Sequence, residues 1–210
     1  AFDEAELGEY LQVDKVLDAV YAAAGELYGL TFTLREDLVG HAPGAQAYEV
    51  HDDEGVVGLF VMDFWARPTK NGGAWMTNLV DQAHETGDLP IVTNNCNYTP
   101  TTTAISWDDV ITMFHEFGHA LHGLLADSRY AGMSGTNTPR HFVEFPSQVN
   151  EHWAWTPGRV LPAEWVEKLE AASQFGQGYA TAEVEISSLL DLVWHTTPLD
   201  ELPTSADEVE

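Results

Sequence analysis

Apolar positions recur with a helical period at the start of this chain, with a strand period through its middle, and with a helical period again in its second half. Val13, Val16, Leu17, Val20, Ala24, Leu27 and Tyr28 follow three- and four-residue steps, which predicts an amphipathic helix ending at Gly29. The residues just before it, 3–9, are rich in acids. The spacing then shortens to two: residues 45–50 alternate, 52–55 form a polar run closed by a glycine, and 56–65 are rich in β-branched and aromatic residues, which together predict a hairpin. Residues 73–79 and 90–94 are candidate further strands. Beyond Thr103 the pattern predicts helices: one around residues 106–124, one holding Glu144, and others near 163–175 and 181–194. No internal repeat is present. The fold class is α+β, with a helical part at 1–30, a small β-rich part at 31–100, a helical part at 104–195 and an acidic, proline-containing tail at 196–210.

The segment around 106–124 carries the chemistry. Ser106 with Asp109 three residues on reads as a capping box, and Asp108 and Asp109 put negative charge where the helix dipole favours it. Val110, Phe114, Phe117, Leu121 and Leu124 form a single apolar stripe. Bordering it is His115-Glu116-Phe117-Gly118-His119, an H-E-x-x-H sequence. Side chains four apart share a helix face, so His115 and His119 can hold one metal ion together, with Glu116 placed to take a proton from water beside it. Two imidazoles, one Zn²⁺ per chain and an adjacent carboxylate are the minimum equipment for hydrolysing a peptide bond. Gly118 weakens a helix by about 1 kcal/mol relative to alanine. Either a close backbone neighbour or room for the metal accounts for it.

A catalytic zinc takes a third protein ligand. The extended motif H-E-x-x-H-x-x-G-x-x-H is excluded, because His122 and Leu125 stand at its glycine and last histidine positions. Glu144, inside the apolar run Phe142-Val143-Glu144-Phe145, is the best remaining candidate, since a carboxylate among apolar neighbours needs a partner. Pro146 suits a first helical turn, so Glu144 is expected near a helix start, and Gly132, Gly135 and Pro139 let the chain reverse before it. Among the competing acids, Asp127 is too close in sequence to His119 to curl back; Glu151 and Glu164 lie further on. Glu151 and Gln148 fit either a role orienting a ligand histidine or an ordinary solvated helix face. His122 is expected to pack rather than to ligate, because a fourth protein ligand would close the position needed by water. Gly72-Gly73-Ala74 before Trp75 reads either as a strand edge that a peptide backbone approaches or as a turn.

The zinc-helix sequence from His115 to Leu124 resembles that of the thimet oligopeptidase family of metallopeptidases. Ser134-Gly135-Thr136-Asn137-Thr138-Pro139-Arg140 and Phe142-Val143-Glu144-Phe145-Pro146-Ser147-Gln148 resemble the segment bearing that family's glutamate ligand. Tyr28-Gly29-Leu30-Thr31-Phe32, Ala66-Arg67-Pro68, Gly72-Gly73-Ala74-Trp75-Met76 and Asn150-Glu151-His152-Trp153 also fit, most closely the family's bacterial peptidyl-dipeptidases. The resemblance implies a zincin-like catalytic domain, with His115, His119 and Glu144 as zinc ligands and Glu116 as general base. It implies short peptides as substrates, with release of C-terminal dipeptides; a broader oligopeptidase and a non-catalytic zinc-binding module are the alternatives. Family members are much longer, and the tyrosine-rich segment that completes their site has no counterpart after His195, so this chain is expected to be part of a catalytic domain, with its activity alone in question. Tyr130 and Tyr179 are accordingly given no role, and His141 stands where relatives often have an acid.

Composition narrows the setting. With 34 acids against 8 Lys and Arg, a net charge of −26 argues against nucleic-acid binding. Such a surface fits a salt-adapted host or a lysine-poor proteome. No apolar run approaches the ~18 residues of a membrane span. The single cysteine, Cys96, excludes an internal disulfide and fits a reducing cytoplasm. The sequence assigns no oligomeric state.

Overall fold

The computed structural model describes residues 4–198 and 200–202, so most of the expected tail at 196–210 lies outside the described residues. Val13–Tyr28 form α1, and Gly29 closes it in the left-handed conformation (φ 70°) with its N–H on the Gly25 carbonyl. The stripe is buried through Ala24, but Leu27 and Tyr28 are exposed, and Tyr28 lines an apolar groove instead.

Five strands follow: β1 (Thr31–Leu34), β2 (Gln46–His51), β3 (Val56–Trp65), β4 (Trp75–Val80) and β5 (Ile91–Tyr98). Their spatial order is β1-β2-β3-β5-β4, and every pairing is antiparallel except β3 with β5. The expected hairpin is β2–β3, closed by Asp52, whose carboxylate accepts from the N–H groups of Glu54 (2.8 Å) and Gly55 (2.9 Å). β1 is short and mostly exposed, and its Thr-Phe-Thr-Leu alternation is too brief to announce a strand. β5 continues past the expected end at residue 94, through a polar run in which Asn95 donates to the Trp75 carbonyl on β4 and Asn97 to the Gly73 carbonyl just before it.

The strand order has one consequence for the site. Chain leaving β3 must pass over the end of β5 before it enters β4 at the sheet edge. Residues 66–74 make that crossing, and the Ala66 N–H donates to the Tyr98 carbonyl at 2.9 Å.

Helix α2 (Trp107–Leu124) begins at the expected capping box: the Ser106 side chain accepts from the Asp109 N–H, and the Asp109 carboxylate accepts from the Ser106 N–H. All five residues of its apolar stripe are buried. Phe117 packs edge-on to Phe60 with ring centroids 5.4 Å apart, beside Tyr21 stacked on Phe32 at 4.2 Å. Burial of one such ring contributes roughly 2–3 kcal/mol. This aromatic cluster fixes the rotation of α2 and turns His115, Glu116 and His119 toward another side.

Helix α3 (Arg140–Glu151) follows Pro139 and runs antiparallel to α2. It starts earlier than the sequence predicts: Pro146 lies inside the helix, not in its first turn. An interior proline removes one helical hydrogen bond, a loss of about 3 kcal/mol. Packing against α2 offsets it. The Asn150 amide donates to the Phe114 carbonyl at 2.6 Å, and Ser147 and Asn150 are buried in the contact.

The chain divides into two compact units, Ala1–Val166 and Glu167–Glu210. Helix α4 (Ala163–Ser173) spans the division, and α5 (Gln177–Thr196) belongs to the second unit. α5 buries no residue, and Ile186, Leu189, Leu192 and Trp194 on it are exposed.

Candidate metal centre

Helices α2 and α3 bring three potential ligand atoms within 4.8 Å of one another, on His115, His119 and Glu144. Two of these side chains come from successive turns of α2, the third from the facing turn of α3. One carboxylate oxygen of Glu144, Oε2, lies 3.2 Å from His115 Nε2 and 3.1 Å from His119 Nε2. The rings stand nearly perpendicular, 4.9 Å between centroids, so both edges point at the same oxygen.

The protonation of this trio follows from its other contacts. Glu151 Oε1 is 2.7 Å from His115 Nδ1. A carboxylate only accepts, so Nδ1 carries a proton and donates, and Nε2 is the nitrogen that faces Glu144. His119 Nδ1 is buried with no partner among the described residues. Burial holds His119 below the usual imidazole range, against the pull of Glu144. Burial also tends to raise Glu144, but the Ser147 hydroxyl, 3.0 Å from its Oε2, and the two histidines outweigh this and hold it below the ordinary carboxylate range. A lowered His119 and a lowered Glu144 favour the neutral imidazole and ionised carboxylate that a divalent cation binds. Two imidazole nitrogens with one carboxylate oxygen suit Zn²⁺.

Glu116 lies beside the trio and is buried. Burial pushes its carboxyl above the ordinary range, and Glu144 adds to this, while His115 and a hydrogen bond from the Met76 backbone N–H oppose it. Its Oε2 has no partner among the described residues. A carboxylate of raised basicity with a free oxygen is suited to accept a proton.

These groups line a cleft of about 300 Å³ with Ala74, Trp75, Met76, Thr136 and Val143. The cleft is bounded by α2, α3 and β4, an edge strand of the sheet. Of the three residues read from the sequence as a possible peptide-facing edge, Ala74 lines it. Gly72 and Gly73 do not: they form the turn before β4, Gly73 at φ 85°, and a side chain on either would touch nothing within 4 Å. Gly73 serves the bend through its positive φ. Gln148 is exposed and lies outside the cleft, whereas Glu151 contacts His115. His122 faces away, into an apolar groove of about 460 Å³ shared with Phe142, its ring 6.2 Å from that phenyl. Asp127 pairs with His84.

The sequence reading passed over Met76, Thr136, Ser147 and Asn150. For Ser147 and Asn150 a signal existed: they lie one and two turns beyond Glu144, on the face it shares with α2. Met76 acts through its backbone and Thr136 lies in a loop, so neither leaves a trace in side-chain pattern.

Peptidase family M3 matches residues 1–209. The chain belongs to that family. Among its relatives, the dipeptidyl carboxypeptidase of Salmonella typhimurium is 45% identical, over 93% of this chain and 31% of that protein. The Escherichia coli dipeptidyl carboxypeptidase is 43% identical, over 99% of this chain and 33% of that protein. Escherichia coli oligopeptidase A is 32% identical, over 83% of this chain and 29% of that protein. The chain thus spans about a third of the length of these curated relatives. No helix among its described residues is long and apolar enough to cross a membrane.

Proposed function

We propose that this chain carries the zinc-binding part of a zincin-like peptidase that hydrolyses short peptides, releasing dipeptides from the C-terminus. The observation that carries the reading is the meeting of His115, His119 and Glu144 on one point, with the free oxygen of Glu116 in the same cleft. His115 Nε2, His119 Nε2 and a Glu144 oxygen would hold one zinc ion. Bound there, zinc supplies Lewis acidity toward a peptide carbonyl and toward water.

The chain's own groups do the rest. Glu151 keeps the proton of His115 on Nδ1 and so presents Nε2 to the metal. Glu116 accepts a proton from the attacking water as its oxygen bonds to the scissile carbon, then passes that proton to the amine as the C–N bond breaks. The rim at Ala74–Met76 receives the peptide in extended form, as an added strand beside β4. A reducing, cytoplasmic setting accords with the buried Cys96 thiol, which burial pushes up to about 12 and so keeps protonated and unreactive.

Dipeptide release is favoured by the higher identity to dipeptidyl carboxypeptidases; the match to oligopeptidase A supports a broader oligopeptidase as the second reading. Three measurements test the proposal. Glu116→Gln should retain one zinc per chain and lose turnover, while His119→Ala should lose the zinc. In the active protein, a peptide with a free C-terminus should yield dipeptides and its amidated twin should not. A chain that binds no zinc, or turnover that survives Glu116→Gln, sinks the assignment; equal cleavage of both peptides selects the oligopeptidase.

A further inference from the structure

Strand β5 grips the cleft-side strand with side chains as well as backbone. Thr93, Asn95 and Asn97 alternate along β5 and so share one side of the sheet. Thr93 Oγ1 donates to the Thr77 carbonyl (3.3 Å) and Asn95 Nδ2 to the Trp75 carbonyl (3.4 Å). Asn97 Nδ2 donates to both the Gly73 and the Asn71 carbonyls, each at 2.7 Å. Asn95 Nδ2 also reaches Thr93 Oγ1 at 3.2 Å, which links the first two donors. The carbonyls held are those of residues 71, 73, 75 and 77, every second one along the approach to β4 and β4 itself.

That spacing has a geometric consequence. In extended backbone the N–H and C=O of alternate residues point to opposite sides. With residues 73, 75 and 77 turned toward β5, the backbone groups of Ala74 and Met76 face the cleft, where the Met76 N–H already meets Glu116. The strongest grip falls where the backbone pairing ends. The last β4–β5 pair is Trp75 with Asn95; beyond it the Asn97 side chain holds the carbonyls of residues 71 and 73 in the crossing segment, whose far end is tied to β5 by the Ala66 N–H on the Tyr98 carbonyl. Below this, the Lys70 side chain is buried, donates to the Asp63 (2.9 Å) and Trp65 (3.2 Å) carbonyls, and lies 5.9 Å from the Trp75 ring centre. The segment is thus anchored at its middle by Lys70 and at its cleft end by Asn97.

We infer that Asn97 is a positioning residue for peptide binding: its two hydrogen bonds set the direction in which Ala74 presents its backbone groups to an added peptide strand. The inference rests on the peptidase reading above. Asn97 touches neither the metal ligands nor Glu116; it acts through Ala74.

The test uses the zinc-loaded Glu116→Gln protein, which cannot consume its ligand, and an N-acetylated tetrapeptide with a free C-terminus, followed by calorimetry. Adding Asn97→Ala or Asn97→Asp should weaken binding by about 10-fold, the loss expected from one to two hydrogen bonds. Zinc content should stay at one per chain. Amide exchange should quicken at residues 71–76 and not in α2. Asn97→Ser, which keeps one donor, should fall between. A purely structural Asn97 would lower the unfolding midpoint and leave the dissociation constant of the folded protein unchanged, and that result overturns the inference. If the Glu116→Gln parent itself binds zinc but no peptide, the peptidase reading falls and this inference with it.

Discussion

A methyl group on Gly118 would stand 2.6 Å from the Cα of Ser147, closer than carbon atoms approach. Gly118 lies between the two histidines, and Ser147 lies three residues beyond Glu144. The absence of a side chain at one position therefore sets how near α3 comes to α2, and so whether Glu144 reaches both rings. Alanine at 118 gains about 1 kcal/mol of helix propensity. It loses more, because it strikes the backbone at Ser147 and Pro146 and the Cβ of Asn150, none of which can swing aside; overpacking of this kind costs roughly 1–3 kcal/mol. Gly118→Ala should lower the unfolding midpoint and weaken zinc binding together. A variant as stable as the parent, with undiminished zinc affinity, would show that the helices can part without consequence.

Glu151 is the second partner of His115, and its removal tests whether the contact matters to the metal. Glu151→Ala should weaken zinc binding by about 10–100-fold, the usual effect of deleting a group that orients a ligand histidine. Glu151→Gln, which can still accept from Nδ1, should fall short of that loss. Competition with a chromophoric chelator measures both. Equal affinity in all three proteins would make Glu151 an ordinary surface charge.

Asp63 offers a stability test remote from the metal. Its side chain is buried on β3, with Arg67 Nη1 at 2.7 Å, Lys70 Nζ at 3.0 Å and His41 Nε2 at 3.1 Å. Burial alone would raise its pKa, but the bonds from Arg67 and Lys70 outweigh burial and hold it below the ordinary range. A carboxyl depressed on folding contributes stability that is present above its unfolded value of about 3.9 and is lost as pH falls through the folded value. Asp63→Asn should therefore cost about 3 kcal/mol near neutral pH, since it leaves Lys70 buried without its counter-charge. The gap between parent and variant should close as acid protonates Asp63. Parallel stability curves at all pH values would contradict this.

The net charge of −26 predicts that salt stabilises the chain. Raising ionic strength to about 1 M shortens the screening length to ~3 Å and removes most self-repulsion. The unfolding midpoint should rise between low and high potassium chloride. Indifference to salt would remove repulsion as a determinant of stability and leave lysine poverty as a matter of composition alone.

Local features carried much of this architecture. α2 was legible because its cap, charge placement and apolar stripe all lie within one segment, and Ser106, Asp109 and Phe117 occupy the positions that such signals require. β5 was only half legible. The expected strand stops at Asn94, and the polar run Asn95-Cys96-Asn97 beyond it carries no strand pattern of its own, since the partners that extend β5 through it lie far along the chain on β3, on β4 and just before β4. α3 was misjudged at its start for a related reason: Pro146 ends helices in isolation, and only packing of Ser147 and Asn150 on Gly118 and Phe114 sustains one through it.

By itself, the sequence determined that two imidazoles and a carboxylate share a helix and that an acid among apolar neighbours follows some twenty-five residues later, because period and burial preference are properties of near neighbours. Only the tertiary structure decided that Glu144 and Glu151 both meet these histidines, that Gly118 exists for a helix crossing, and that the glycines before β4 make a turn. Those outcomes depend on distances of a few ångströms between segments, which the fold sets by closing α2 against a sheet on one side and against α3 on the other.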